Sequence, residues 1–325
     1  MTAPPRSTKM LLAILAMLSG ASPALAADYP SKPVQIINQA APGSGTDVLG
    51  RIVAEQLTQR LGQQVLIVNR PGAGGLIAAQ AAAAAEPDGY TLYMPSSSAL
   101  MVLPQTHPHL SFDFHRDFVS IGMIGTQPLL IAVSPKLGVS TLPELIALAK
   151  KEPGKILYAG NTPGTLPALT GEMLKQRADI DLTFIPYPGF AAGLTDLKGG
   201  RISVIVESLS ALAPAVQDSS VKLLATASDQ RLPQFPDVPT VAETLPGFVA
   251  TGWLALLART GTPDSTVRTL STALRASLAD PGLKEKFAQL ATLATPMSPA
   301  EMETFRQREE KNWIPVIQKA GLPVE

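Results

Sequence analysis

The sequence predicts an α/β fold of two similar lobes, each a mostly parallel sheet flanked by helices. Three observations predict it. Strand-like and helix-like runs alternate along the chain, glycine-rich loops join strands to helices, and the same order is repeated in the middle of the chain. This alternation is typical of parallel sheets with helices on their faces. Glycines near residues 125–130 and 247–252 mark two crossings between the lobes, and two crossings form a hinge with a cleft.

The first lobe is predicted from the apolar pattern of residues 34–94. In its first helix, apolar side chains recur every three to four residues, which gives one buried face, and Gly62 ends the helix. Pro87-Asp88-Gly89 is a turn signal before the third strand. Strands are predicted at 34–37, 65–68 and 91–94, and helices at 47–61 and 76–85.

The second lobe repeats this order, with Thr141 or Ser140 as the expected N-cap of its first helix. The predicted lobe boundaries are 27–127 plus 250–325 for the first lobe and 128–249 for the second. In the second lobe, strands are predicted at 129–133, 156–159, 182–185 and 203–206, and helices at 142–151 and up to about 177. A strand at 253–257 and helices from Pro263, Pro281 and Ser298 are predicted to return to the first lobe.

The N-terminus has the pattern of a secretory signal peptide. Arg6 and Lys9 precede an uncharged apolar run at 10–18, and an Ala-x-Ala pattern ends at Ala26. The apolar run is too short to span a bilayer. We therefore expect cleavage near Ala26 and export of the remaining chain, which is long enough for two lobes.

Composition excludes several functional classes. The chain has no cysteine, which excludes disulfides, a lipid anchor on a cysteine and thiol chemistry. Without residues 1–26 the charge balance is 24 − 26 = −2. A nearly neutral surface with no basic cluster argues against nucleic acid and anionic membranes as partners. We expect a monomer that uses no cofactor.

Three glycine-rich loops lie where ligands of α/β sheets usually bind. Loops 40–46, 70–75 and 160–166 each join the carboxyl end of a strand to the start of a helix. The N–H groups of a helix start are unpaired donors at the positive end of the helix dipole. A micromolar solute requires about −8 kcal/mol, and charge-assisted hydrogen bonds contribute roughly 1.5–3 kcal/mol each. A handful of amides therefore suffices to bind an anion, although any one of these loops alone could be only a tight turn.

The same loops lack the features of nucleotide or catalytic sites. Residues 43–48 lack the last glycine of G-x-G-x-x-G, and no loop ends in Lys-Ser/Thr. The sequence has no G-x-S-x-G elbow. His107 and His109 could chelate a metal with Asp113, but these two and His115 lie in one proline-containing stretch and are interpreted as surface residues. No catalytic set is recognised.

Eight different short motifs follow one another along the chain after residue 26. They are Tyr29-Pro30-Ser31-Lys32-Pro33, Ala41-Pro42-Gly43-Ser44-Gly45-Thr46-Asp47, Asn69-Arg70-Pro71-Gly72-Ala73-Gly74-Gly75, Pro87-Asp88-Gly89-Tyr90-Thr91-Leu92, Pro186-Tyr187 with Gly189, Leu194-Thr195-Asp196-Leu197 before Gly199-Gly200, Pro236-Asp237-Val238-Pro239-Thr240-Val241-Ala242-Glu243, and Leu256-Leu257-Ala258 with Gly261-Thr262-Pro263. With this set the sequence resembles the Bug family, the periplasmic solute receptors of tripartite tricarboxylate transporters.

The resemblance implies a two-lobed periplasmic-binding-protein (flytrap) fold that delivers a small organic acid to membrane permease subunits. In this family the carboxylate is typically held by loop amides and ordered waters, and loops 38–47 and 160–167 here contain no Arg or Lys. The departures from the family pattern are Asn38-Gln39 in place of Pro-aromatic, Leu166-Pro167-Ala168 after Thr165, and Pro188 in place of lysine, with Phe190 close behind. These departures favour a monocarboxylate with an apolar or aromatic body over a dicarboxylate.

The sequence therefore predicts a periplasmic receptor for an organic acid or amino-acid-like ligand, with loops 70–75 and 96–98 completing the first wall of the cleft. Asp47 is expected either to complement its own helix start or to meet a ligand amine or hydroxyl. Glu207 is expected to face the far end of the ligand or to be only a hydrogen-bonded residue. A sensory receptor and an exported hydrolase on the same fold are the alternatives. The predicted ligand-binding residues are Gln39, Ala41, Gly43, Ser44, Thr46, Asp47 and Ser97 in the first lobe and Asn161, Thr162, Thr165, Tyr187 and Glu207 in the second.

Overall fold

A computed structural model describes residues 29–187 and 189–324. The predicted signal peptide and the departure at Pro188 lie outside the described residues. Within these two ranges, no helix combines the length and the apolar character that crossing a membrane requires.

The described residues form ten strands and ten α-helices in a mixed α/β order. The strands are β1 (Val34–Asn38), β2 (Val65–Asn69), β3 (Thr91–Met94), β4 (Phe118–Val133), β5 (Leu157–Ala159), β6 (Thr183–Phe184), β7 (Val204–Ser208), β8 (Lys222–Thr226), β9 (Thr251–Arg259) and β10 (Leu293–Ala294). The helices are α1 (Gly45–Leu61), α2 (Leu76–Ala83), α3 (Ser97–Thr106), α4 (Leu142–Lys151), α5 (Leu166–Ala178), α6 (Phe190–Gly199), α7 (Leu209–Gln217), α8 (Asp264–Ala279), α9 (Pro281–Gln289) and α10 (Pro299–Lys319).

Local signals fix several helix ends as predicted. Gly62 adopts the left-handed conformation (φ 69°) that ends α1, and its N–H donates to the Thr58 carbonyl. At the start of α4, the Thr141 hydroxyl accepts a hydrogen bond from the Glu144 N–H. Helix α3 was not predicted, because residues 96–98 were expected to be loop. It begins at Ser97 and contains Pro104, a residue that usually interrupts helices.

The parallel pairing predicted from the strand and helix order is confirmed at both ends of the sheet. Strands β1, β2 and β3 pair in parallel, and so do β5, β6 and β7. We call these two groups the β1 side and the β5 side. Between them, β9 and β4 run antiparallel to each other and to their outer neighbours. The order is β2-β1-β3-β9-β4-β7-β5-β6, with β8 and β10 also on β4.

Strand β4 is longer than predicted and is one of the two strands that join the β1 side to the β5 side. Only 129–133 was predicted as strand, whereas the structure extends β4 back to Phe118. Gly122 and Gly125 accompany two shifts in its pairing register with β9. A Cβ atom at either glycine would lie 2.7 Å from a carbonyl oxygen of the 293–297 segment. The glycines therefore allow this segment to pack directly on the crossing strand.

The last three helices close the structure around these crossing strands. Helices α8 and α9 pack against α1. Helix α10 packs against β4 and contacts both α3 and α5. Trp313 and Ile317 are its buried anchors, in the same apolar cluster as Trp253 of β9. Helix α10 therefore touches elements on both sides of the crossing strands.

Candidate functional site

One cavity lies between loops of the β1 side and a loop of the β5 side. Its volume is about 610 Å³. It is bounded by the turn after β2, by one face of α3, by the loop between β5 and α5, and by the segment after α10. Its lining residues are Gln39, 72–75, Ser98, 102–103, 106–107, 162–165 and 322–323.

The turn at 72–75 presents backbone directly to the cavity. Gly72, Gly74 and Gly75 have φ values of 124°, 60° and 103°, which L side chains rarely adopt. A Cβ at Gly75 would lie 2.8 Å from the Gln39 Oε1 atom. The amide of Gln39 is held in place because its Nε2 donates to the Ser96 hydroxyl over 2.8 Å. This arrangement leaves the wall formed by backbone and small side chains.

The loop at 162–165 places the start of α5 beside the cavity. The Thr165 hydroxyl donates to the carbonyls of Gly160 (2.8 Å) and Thr162 (2.7 Å). It therefore does not cap α5, and no other side chain does so at this N-cap position. The first N–H groups of a helix have no intrahelical partner, so those of Leu166 and Ala168 remain donors at the positive end of the α5 dipole.

The loop at 41–47 is closed by its own aspartate. The Asp47 carboxylate accepts hydrogen bonds from the Gly43 N–H (2.8 Å), Arg51 Nε (2.9 Å) and Asn69 Nδ2 (2.8 Å). The Ser44 hydroxyl accepts from the Asp47 N–H and caps α1. Burial acts to raise the pKa of Asp47, but these hydrogen bonds outweigh burial and hold the pKa below its ordinary value. The geometry favours the predicted helix-start role for Asp47.

Replacing Asp47 with asparagine should destabilise the fold while leaving ligand affinity nearly unchanged. The carboxylate is 2 % exposed and loses its charge-assisted hydrogen bonds, so we expect a loss of about 2 kcal/mol at pH 7. Because the folded-state pKa is lowered, this stabilisation is full above the ordinary pKa of about 3.9 and disappears as the pH falls through the folded-state value. Urea unfolding at pH 7 and in acid measures both effects. A large loss of ligand affinity at unchanged stability would contradict this role.

Three of the twelve predicted binding residues line the cavity, namely Gln39, Thr162 and Thr165. Loop 70–75, predicted as part of the same wall, contributes four lining residues, and loop 96–98 contributes Ser98. Ser97 is 2 % exposed and lies outside the lining, and its hydroxyl accepts a hydrogen bond from the backbone N–H of Trp253. The predicted residues that do not line this cavity are Ala41, Gly43, Ser44, Thr46, Asp47, Ser97, Asn161, Tyr187 and Glu207.

Three predicted binding residues near loop 162–165 form hydrogen bonds within the protein, namely Asn161, Tyr187 and Glu207. Asn161, with a positive φ of 63°, donates from Nδ2 to Glu207 Oε2, and the Ser208 N–H donates to Glu207 Oε1 over 2.7 Å. The Tyr187 hydroxyl donates to Asp196. Glu207 is 7 % exposed and lies in β7. These contacts favour the hydrogen-bonded role that the sequence left open for Glu207.

The cavity contains residues that the sequence analysis did not place there. His107 was interpreted as a surface residue, but it lines the cavity because the unpredicted helix α3 carries it there. Val102 and Leu103 of α3 and Leu322 of the segment after α10 add an apolar surface. Among the lining residues that the structure describes, none is Lys, Arg, Asp or Glu. No group of three metal-ligating side chains occurs in the described ranges either.

The fold is that of the solute-binding proteins, since a TctC solute binding protein from Polaromonas has a TM-score of 0.81 and 26 % identity, over 90 % of this chain and 99 % of that one. A R. palustris protein solved with adipate has a TM-score of 0.76 and 28 % identity, over 92 % of this chain and 100 % of that one. MatC from Rhodopseudomonas palustris, solved with bound malate, has a TM-score of 0.72 and 26 % identity, over 89 % of this chain and 100 % of MatC.

The sequence comparisons give the family. Residues 49–322 match the family described as tripartite tricarboxylate transporter family receptor. BugT of Bordetella pertussis is 34 % identical over 303 residues, which cover 93 % of each chain. The chain therefore belongs to the tripartite tricarboxylate transporter receptor family, and its resemblance to Bug proteins is confirmed.

Proposed function

We propose that the protein is a periplasmic receptor that binds a small carboxylate-containing metabolite and delivers it to the permease of a tripartite tricarboxylate-type transporter. The observation that carries this proposal is the cavity, which is lined by the glycine turn at 72–75 and by loop 162–165, and this loop ends at the N-cap of α5. The carboxylate complexes of two structural relatives support the ligand class. Family membership supports the permease partner.

Backbone donors suit a receptor because they bind an anion without fixing a charge in the empty site. A carboxylate at the start of α5 would accept N–H bonds and interact with the helix dipole. Each charge-assisted bond contributes roughly 1.5–3 kcal/mol, and micromolar affinity requires about −8 kcal/mol. Two or three amides with bridging waters would therefore supply micromolar affinity.

The two sides of the cavity are proposed to close on the ligand as lobes. Strands β4 and β9 and helix α10 connect the β1 side with the β5 side, which supports a hinge at the predicted crossings near 125–130 and 247–252. Closing would bring loop 162–165 towards turn 72–75 and shield the hydrogen bonds from water. The lobes that we propose to close are residues 27–127 plus 250–325 and residues 128–249.

A pair of matched glycine variants tests the location of the site. Gly74 lines the cavity and has φ 60°, whereas Gly138 has φ 76° and does not line it. A Cβ at Gly74 would lie no closer than 3.8 Å to any neighbour, and a Cβ at Gly138 would meet nothing within 4 Å. Aspartate tolerates this backbone region better than most residues. Both positions therefore accept the same substitution with similar strain.

Gly74→Asp should weaken carboxylate binding at least tenfold, because it adds a negative charge to the anion site. Gly138→Asp should leave the dissociation constant within about threefold of wild type. The measurement is calorimetry with a panel of monocarboxylates and dicarboxylates, followed by chemical analysis of the recovered ligand. One-to-one binding of an unaltered ligand supports the receptor. Turnover of the ligand would favour the hydrolase, and equal effects of the two variants would place the site elsewhere.

A further inference from the structure

Two residues of the segment after α10 (residues 320–324), Leu322 and Pro323, form part of the cavity wall. Helix α10 ends at Lys319, and the chain then turns at Gly321, which has φ 61°. This turn directs Leu322 and Pro323 to the cavity lining. Leu322 is partly buried and packs against the main apolar cluster, whereas Val324 is 67 % exposed. The segment is thus held at Leu322 and open to solvent two residues later.

Leu322 lies where the two sides of the cavity meet. A Cβ at Gly164 would lie 3.4 Å from Leu322 Cδ1 and 3.9 Å from Val102 Cγ1. Leu322 and Val102 therefore both face the loop at 162–165, one from the segment after α10 and one from α3. Helix α10 is also tied to α3 by a hydrogen bond from Gln318 Nε2 to Gln105 Oε1.

Three polar side chains around this apolar wall form hydrogen bonds within the protein. Gln39 donates to Ser96, Thr106 donates to the Val102 carbonyl, and Thr165 donates to the Gly160 carbonyl. The other candidate donors for a carboxylate are the Ser98 and Thr162 hydroxyls and the backbone amides of the two turns. A ligand that also covers Val102 and Leu322 must do so with apolar atoms, since a polar group there would lose its hydration without a partner.

We propose that Leu322 is a specificity-determining residue of the cavity and that the ligand carries an apolar body that packs against Leu322 and Val102. This inference rests on the proposed function and adds the substrate class to it. The expected ligand is a carboxylate with a saturated or aromatic carbon body. Short hydroxylated acids should bind more weakly, because their hydroxyl groups would face this wall.

The test uses hexanoate, adipate and malate as probes with the full chain. Hexanoate and adipate have the same carbon count and differ in the second carboxylate, whereas malate is short and hydroxylated. The tighter of the first two should bind at least about tenfold more tightly than malate. Leu322→Asn, which keeps the approximate side-chain size, should weaken the tighter probe about fivefold or more. Val324→Asn, the same kind of change at an exposed position of the same segment, should leave it within about twofold.

The outcomes distinguish an error about the ligand body or Leu322 from an error about the receptor function. If malate binds more tightly than both other probes, the apolar body is wrong while the receptor function stands. If Leu322→Asn and Val324→Asn bind the tighter probe like wild type, Leu322 does not determine specificity. If no carboxylate of the wider panel binds the wild-type protein, the proposed function itself fails. Thermal unfolding of each variant shows whether a loss of affinity reflects a loss of folding.

Discussion

Replacing Gly160 with alanine should both destabilise the protein and remove most of its ligand affinity. Gly160 follows β5 and begins the loop that reaches the cavity. A Cβ there would lie 2.6 Å from the Ala168 nitrogen and 2.7 Å from both Ala168 Cα and the Pro167 carbonyl carbon. These are backbone atoms of the first turn of α5, so no side-chain rotation can relieve the clash. The first turn of α5 and the loop must move apart.

The expected losses of stability and affinity both follow from the displacement of the first turn of α5. Overpacking of a well-packed interior typically costs 1–3 kcal/mol, and a rigid backbone neighbour places Gly160→Ala near the upper end, at about 3 kcal/mol. Moving the α5 start also misaligns the amide donors of the cavity, and losing one charge-assisted hydrogen bond of roughly 1.5–3 kcal/mol weakens binding tenfold or more. Denaturant unfolding and calorimetry measure the two losses separately.

Gly193→Ala is the matched control for Gly160→Ala. Gly193 lies in α6, and a Cβ there would meet its neighbours at 3.5 Å or more, which is ordinary contact. Alanine is favoured over glycine in a helix interior by up to about 1 kcal/mol. The control should therefore be as stable as wild type or slightly more stable, with unchanged affinity. If Gly160→Ala behaves like this control, the loop tolerates the movement and the proposed role of the α5 start is wrong.

The order of strands, loops and helices was predictable because it is determined by signals within short stretches of sequence. The apolar spacing of α1 and the cap at Thr141 act over a few residues, and both are present as predicted. The antiparallel crossing of β4 and β9 was not predicted, since their register depends on residues more than a hundred positions apart. Helix α3 was missed because residues 96–98 were expected to be loop, whereas the helix begins at Ser97 and continues through Pro104.

In the candidate site, too, features set by adjacent residues were predictable and contacts between residues far apart in the sequence were not. The glycine turns at 72–75 and 162–165 were recognised from sequence, and both line the cavity. The sequence could not show that Asp47 binds the N–H of Gly43 in its own loop. This arrangement also depends on a hydrogen bond from Asn69, which lies in the next strand. Leu322 could not be assigned either, because nothing local links it to Gly164, to which it is close only in the folded chain.

Replacing Glu309 with alanine should cause a large loss of stability without direct contact to the ligand cavity. Glu309 is 3 % exposed, and its Oε2 accepts hydrogen bonds from the indole N–H groups of Trp253 and Trp313, both at 3.2 Å. Trp253 lies in the crossing strand β9 and Trp313 in α10. Alanine would leave two buried donors without an acceptor and create a cavity, which together cost about 3–4 kcal/mol. Chemical denaturation measures this loss.

Glu309→Gln separates the hydrogen bonds from the charge. The amide oxygen still accepts from both indole groups, so this variant should retain most of the stability that Glu309→Ala loses. Burial raises the pKa of Glu309, and the indole donors offset this only in part. The folded state therefore takes up a proton more readily than the unfolded state, so wild type should gain stability relative to Glu309→Gln as the pH falls from 7 towards about 4.3. A wild-type protein that loses stability relative to Glu309→Gln over this range would show that the carboxylate is stabilised as an anion. In that case the charge, and not the neutral hydrogen-bonded group, would hold the crossing strand to α10.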